Sequence, residues 1–152
     1  VNGSAPGEWR RGEFSISTDP SRLDRPAIRD FLAASYWSPE IPQDVVDRGI
    51  EGSLVFGLFD GEKQIGFARA ITDRATFAYV ADVYVLEEYR GRGLARWLME
   101  TVLAHPDLQG LRRWMLLTRD AHALYRKVGF ADAARPERIM EIARPDVYRR
   151  KK

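Results

Sequence analysis

Residues Tyr79 to Leu98 read YVADVYVLEEYRGRGLARWL, an apolar stretch of strand character that passes through a turn rich in glycine and arginine into a stretch of helical character. Tyr79, Val80, Val83, Tyr84 and Val85 are the β-branched and aromatic residues that suit a buried strand. Leu94, Leu98 and Val102, with Ala95, Trp97 and Met99, then recur at helical spacing. Between the two stands Arg90-Gly91-Arg92-Gly93. Glycines there let the backbone come close to a ligand, the first N–H groups of the helix have no partner inside it, and the helix dipole adds about half a positive charge at that end. The combination predicts a site for a phosphate or diphosphate. It is not a Walker-type loop, which needs a Gly-Lys-Ser/Thr nearby, and it lacks the three-glycine spacing of a dinucleotide fold.

The run Arg90-Gly91-Arg92-Gly93-Leu94-Ala95 resembles the acetyl-CoA signature of the GNAT acetyltransferases, Arg/Gln-x-x-Gly-x-Gly/Ala, with Val83-Tyr84-Val85 at the matching distance before it. Downstream, Thr118 to Phe130, TRDAHALYRKVGF, is similar to the family's closing element, Asn-x-x-Ala-x-x-Phe/Tyr-Tyr-x-x-x-Gly-Phe, with Ala121, Leu124, Tyr125, Gly129 and Phe130 at the corresponding positions. The chain departs from the pattern twice. Thr118 stands where asparagine is common, offering one hydroxyl in place of an amide's donor and acceptor. Leu86-Glu87-Glu88 stands where a proline often precedes the glycine turn.

The 152 residues, 45% hydrophobic and 30% charged, are enough for one globular domain. A chain of this length buries about two-thirds of its unfolded surface. A formal charge of +2 lacks the concentrated basic face of a nucleic-acid binder. Zero cysteines exclude disulfides, a thiolate zinc site and a cysteine nucleophile. Two histidines, His105 and His122, argue against a histidine-built metal site, so no metal is expected. No apolar run approaches the ~20 residues that span a bilayer, and no basic-then-apolar leader opens the chain, so a cytoplasmic address and no membrane partner are expected.

In chain order, residues 1–12 read as a flexible leader, 13–145 as the folded domain and 146–152 as a basic tail. Phe14 to Ser17 alternates like a strand, Ser21, Asp24 and Pro26 prepare a helix to about Ala34, and Gln43 to Ile50 forms a second. Leu54–Phe59 and Gln64–Ala70 flank Asp60-Gly61 as a hairpin. After the central strand and its helix, which Pro106 ends, come a strand at Trp114–Leu117, a helix at Ala121–Val128, and strands at Phe130–Ala131 and Ile139–Ile142. This order fits a mixed α/β plan, with helices on both faces of a mostly antiparallel central sheet, and it is the GNAT plan.

The resemblance implies acetyl-CoA as cosubstrate, with its diphosphate on backbone N–H groups from Arg90 to Ala95 (Gly91, Gly93 and Leu94 among them) and Arg90 and Arg92 as clamps. Thr118 is placed beside its middle section. Pantetheine amides pair with the free edge around Val83, Tyr84 and Val85, and an N–H near Val85 is the candidate oxyanion donor. Tyr125 falls where the family places a general acid; its ordinary pKa near 10 exceeds the ~8.5 of a thiol, so its hydroxyl can serve the departing sulfur. As an isolated residue it equally suits packing. Asp82, mid-strand among valines, is the candidate base for the acceptor amine, or else a structural carboxylate paired with an arginine such as Arg69.

Tyr36 and Trp37, between the first two helices, form either an aromatic acceptor wall, with Asp82 and Tyr84, or plain core. Glu87 and Glu88 read as solvated loop charges, and His122 as a surface residue. The expected acceptor is a primary amine, a small molecule or a peptide amine, attacked directly in a ternary complex. A non-catalytic acyl-CoA or nucleotide-phosphate sensor is the rival. No nucleic-acid partner is expected, and the resemblance is compatible with a homodimer.

Overall fold

The computed structural model describes residues 5–149. Strands β1 (Glu8–Arg11), β2 (Phe14–Ser17), β3 (Leu54–Asp60), β4 (Lys63–Thr72), β5 (Phe77–Val85) and β6 (Arg113–Met115) form one sheet in the order β1-β2-β3-β4-β5-β6. Every neighbouring pair is antiparallel except β5 with β6. Helices α1 (Arg25–Ala33) and α2 (Gln43–Glu51) cover one face, and α3 (Leu94–Ala104) covers the other, with α4 (His122–Lys127) beside it.

Alternation along β3 sorts its side chains between the two faces. Leu54, Phe56 and Leu58 join Leu94, Trp97, Leu98 and Val102 under α3. Val55 goes the other way, with Phe67 and Tyr84, to meet Ile28 and Leu32 of α1 and Val46 and Ile50 of α2. A fully buried side chain such as Leu98 or Leu32 contributes about 1.5–3 kcal/mol. Helix α1 starts where its sequence signals lie: the Asp24 side chain accepts from the Ala27 N–H at 3.0 Å, and Pro26 sits in the first turn. Among the described residues no helix is long and apolar enough to cross a membrane.

Three expectations need correction. The leader is not free at Glu8–Arg11, which pairs with β2 from Glu8 opposite Ser17 to Arg11 opposite Phe14. Gly7 donates to the Thr18 hydroxyl at 2.8 Å, and Trp9 meets His105 edge-on at 6.0 Å between centroids. An edge strand with one packed residue leaves no alternation to read. Residues 1–4 of that leader lie outside the described residues. At the other end, Tyr148 packs against the α1/α2 core, so residues 146–149 are not a loose basic tail, while 150–152 lie outside the described residues.

The strands expected at Phe130–Ala131 and Ile139–Ile142 do not form. Residues 131–147 are exposed throughout, and the strand expected at Trp114–Leu117 is confined to Arg113–Met115. A strand exists only where another strand supplies hydrogen bonds, and β6 meets its sole sheet neighbour through Phe77↔Arg113, Ala78↔Trp114 and Tyr79↔Met115.

Candidate active site

At the β5–α3 junction the backbone does what the glycines permit. Gly91 and Gly93 hold φ at +81° and +75°, the left-handed region, and α3 begins at the next residue, Leu94, with no side chain capping its first turn. The N–H groups of that turn are therefore available to a ligand. Arg90 turns back, its Nε donating to the Val85 carbonyl at 3.1 Å, so it braces the junction. The Arg92 guanidinium lies 5.6 Å over the Tyr89 ring, whose hydroxyl donates to Asp60 at 2.8 Å.

The ladder between β5 and β6 ends at Tyr79↔Met115, while β5 runs on to Val85, and the two strands part there. Leu86 donates its N–H to Ile65 of β4 at 2.8 Å. Residues alternate in direction along a strand, so the backbone groups of Val83 and Val85 face the gap and those of Tyr84 face β4. The Tyr84 side chain is core: it is 6% exposed and stacks on Phe31 with centroids 3.8 Å apart. Burial pushes its hydroxyl pKa up strongly. The Tyr84 side chain is thus core and not part of an exposed surface, a correction to its expected substrate contact.

Asp82 occupies a bulge. The β4–β5 register runs from Phe67↔Tyr84 to Arg69↔Ala81, so Asp82 and Val83 together oppose Ala68, and Asp82 takes φ +58°. For a residue with a Cβ this costs about 1–2 kcal/mol. The bulge aims the carboxylate at the α1/α2 face, where Oδ2 accepts from Arg69 Nε at 2.7 Å and Oδ1 from Trp37 Nε1 at 3.0 Å. Arg69 in turn donates to the Ser53 hydroxyl at 3.0 Å. The arginine partnership foreseen for Asp82 therefore exists. Two carboxylate oxygens with one donor each keep lone pairs for an ammonium.

Tyr125 is half-buried on α4, and burial, with the Tyr36 phenol next in weight, raises its pKa to about 12. The hydroxyl stays protonated across the neutral range. Gly129, at φ +105°, lets the chain fold back so that Phe130 donates its N–H to the Tyr125 carbonyl at 3.0 Å and sets its ring edge-on to Tyr125 at 5.9 Å. That is the physical content of the Gly-Phe ending. Thr118 opens the same element, its hydroxyl accepting from the Ala121 N–H at 2.9 Å.

Tyr36 joins the two halves. Its hydroxyl accepts from the Arg119 N–H at 3.1 Å, the Arg119 guanidinium stacks 3.7 Å over its ring, and Trp37 meets it edge-on at 5.2 Å. Tyr36, Trp37, Asp82 and Arg69 thus form a continuous chain of contacts, and the Tyr36 phenol lies close enough to Tyr125 to add to its raised pKa. Tyr36 and Trp37 are 45% and 41% exposed, too open to be plain core. Of the remaining candidates, Glu88 pairs with Lys63 at 3.6 Å on the surface, Glu87 is exposed, and so is His122. Sequence reasoning missed Phe31, Arg119 and Tyr148. It also missed a cavity of about 270 Å³ between α1, α2 and the sheet, floored by Ile28, Leu32, Val46, Ile50 and Phe67 and walled by Arg69 and Asp82. Among the described residues no group of three His, Cys, Asp or Glu side chains is placed to hold a metal ion.

Comparison with known proteins gives the family and the fold. The family model for the acetyltransferase (GNAT) family matches residues 18–130. A curated protein of Gibberella zeae with an inferred acetyltransferase assignment is 34% identical over an aligned stretch that covers 84% of each protein. A crystal structure from Xanthomonas campestris pv. campestris, assigned to the same family, is 48% identical, with a TM-score of 0.88 over 90% of this chain and 97% of that one. A Clostridium acetobutylicum structure described as an acetyltransferase with acetyl-CoA shares the fold at 15% identity, with a TM-score of 0.65 over 86% of this chain and 94% of that one.

Proposed function

This chain belongs to the acetyltransferase (GNAT) family, and on that premise we propose that it carries an acetyl group from acetyl-CoA to a small primary amine by direct attack, without an acyl-enzyme. The observation that carries the reading is the chain of contacts from Tyr36 through Trp37 to Asp82, with the Tyr125 phenol close enough to Tyr36 to feel it. It sets a protonated phenol and a carboxylate on either side of the Tyr36–Trp37 aromatic pair.

The N–H groups of the α3 first turn hold the diphosphate, with Arg92 as the side-chain clamp. The backbone of Val83 and Val85 pairs with the pantetheine amides in the gap between β5 and β6. Asp82 receives the ammonium group and takes its proton, directly or through water. The freed amine nitrogen forms a bond to the thioester carbon, and the Val85 N–H donates to the carbonyl oxygen as negative charge builds on it. When the carbon–sulfur bond breaks, the electron pair leaves with the sulfur, the nitrogen gives up its second proton to solvent, and the Tyr125 O–H donates to the departing thiolate. A phenol at about 12 gives up its proton less readily than an ordinary tyrosine, so its main contribution is a hydrogen bond that stabilises the thiolate until solvent protonates it.

The cavity beside Asp82 supports one acceptor class over another. Its floor is apolar and its one carboxylate is already matched by Arg69, which favours an amine with an apolar body over a polycation. The test is a panel of amines and peptides assayed by release of the CoA thiol. Turnover should be highest with aliphatic or arylalkyl primary amines. Turnover confined to polyamines or to peptide N-termini would contradict the reading.

A further inference from the structure

The cavity between α1, α2 and the sheet is lined by two guanidiniums, Arg48 and Arg69, and by one carboxylate, Asp82. Arg48 is exposed and lies 3.5 Å from Asp44 on the surface of α2. Arg69 and Asp82 lie deeper, with side chains 20% and 12% exposed. A guanidinium carries five N–H donors in one plane. Arg69 gives Nε to Asp82 Oδ2 at 2.7 Å and Nη1 to the Ser53 hydroxyl at 3.0 Å, and among the described residues Nη2 makes no hydrogen bond. Gly49 keeps this group uncovered. It stands inside α2, where glycine is a poor helix former. A Cβ there would lie 3.5 Å from Nη1, 3.6 Å from Cζ and 3.9 Å from Nη2, over the flat face of the guanidinium.

We infer that the acceptor is a free amino acid with an apolar side chain. Its ammonium meets Asp82, its carboxylate accepts from Arg69 Nη2, and its side chain lies on the floor formed by Ile28, Leu32, Val46 and Phe67. The assignment deepens the proposed transfer to an apolar amine at Asp82 and rests on it.

Distance supports it first. Asp82 and Arg69 are in direct contact, so the groups that bind them must be close neighbours in the acceptor, as the nitrogen and carboxylate of an α-amino acid are. Charge supports it next. A bare ammonium adds a positive charge to a cavity whose single carboxylate is already matched, over a floor that cannot solvate it, whereas a zwitterion brings its own countercharge. Proton transfer sharpens the point. Asp82 becomes neutral when it takes the ammonium proton, which leaves Arg69 without a counterion as the nitrogen attacks the thioester carbon. The acceptor's carboxylate fills that role, takes no part in the bond that forms, and leaves with the acetylated product. The volume, about 270 Å³, lies below the ~300–1,000 Å³ of drug-sized pockets and suits a single amino acid.

Matched acceptors assayed with the full chain and acetyl-CoA, by release of the CoA thiol, test this. Leucine is compared with isoamylamine and phenylalanine with phenethylamine, each pair sharing its apolar body and differing by the carboxylate. The amino acid of each pair should have a kcat/KM about tenfold or more higher, the return on a charge-assisted hydrogen bond to Arg69. Gly49→Val spreads a side chain beside Nη2 and should raise the KM for leucine about tenfold while moving that for isoamylamine by about twofold or less. Valine is no worse a helix former than glycine, so α2 should persist, and the matched pairs decide the question on the unaltered protein in any case. Equal or faster turnover of the amines that lack a carboxylate overturns the amino-acid assignment and leaves transfer to an apolar amine standing. Turnover of polyamines or peptides with neither member of a pair overturns both. A Gly49→Val protein whose two KM values rise alike overturns the place given to the carboxylate at Arg69.

Discussion

At the β5–α3 junction everything that prepares the proposed anion site lies within residues 83–95, whereas the proposed acceptor side draws Tyr36, Trp37, Arg69, Asp82, Tyr125 and Tyr148 from distant elements. The junction is built by backbone: two left-handed glycines, an uncapped helix start and a strand edge facing a gap. The acceptor side is built by side chains that hold one another through hydrogen bonds and stacked rings. Damage to the first should therefore appear in cofactor binding. Damage to the second should appear in turnover, acceptor affinity and stability together.

Tyr125→Phe should separate the two sides most sharply. Loss of the hydroxyl should lower kcat by about 10²- to 10⁴-fold, while the acetyl-CoA Kd from calorimetry stays unchanged. Gly93→Val places a β-branched residue at φ +75°, and should weaken acetyl-CoA binding by about tenfold or more while costing about 1–2 kcal/mol of stability. If acetyl-CoA affinity survives that change, the backbone account of the junction fails. Asp82→Asn leaves the Arg69 guanidinium without its charged partner, at a cost of about 1–3 kcal/mol, or roughly 2–4 °C of Tm for each kcal/mol. It should also raise the KM for the amine with little change for acetyl-CoA.

The smallest expected effect is on pH dependence. Burial raises the Tyr125 pKa to about 12 from an ordinary value near 10, so the folded state keeps a proton that the unfolded chain loses first. Stability from this group is intact below pH ~10 and declines as pH rises towards 12. Thermal melts between pH 9 and 11 should show Tyr125→Phe losing less Tm than the parent protein. An equal loss in both proteins would mean that Tyr125 is not the buried phenol described.

The same contrast explains what was legible in the sequence. Gly91 and Gly93, the Asp24 cap and the Gly129-Phe130 ending act on their immediate neighbours, so their meaning can be read locally. Helices α1, α2 and α3 and the β3–β4 hairpin were legible for the same reason, through periodicity and turn chemistry. Tyr84 was misjudged because nothing local says that Phe31, more than fifty residues earlier, stacks on it. The Asp82 bulge depends on the β4–β5 register, and β1 on a partner across a turn, which a single strand cannot announce. Ile139–Ile142 is the instructive opposite: its composition is that of a strand, but among the described residues no strand pairs with it.

The most direct measurement is a crystal structure of the protein with acetyl-CoA bound. The diphosphate should sit on the N–H groups that open α3 at Leu94, and the thioester sulfur should lie within hydrogen-bond reach of the Tyr125 hydroxyl. A diphosphate bound elsewhere, or a sulfur turned away from Tyr125, would contradict the account.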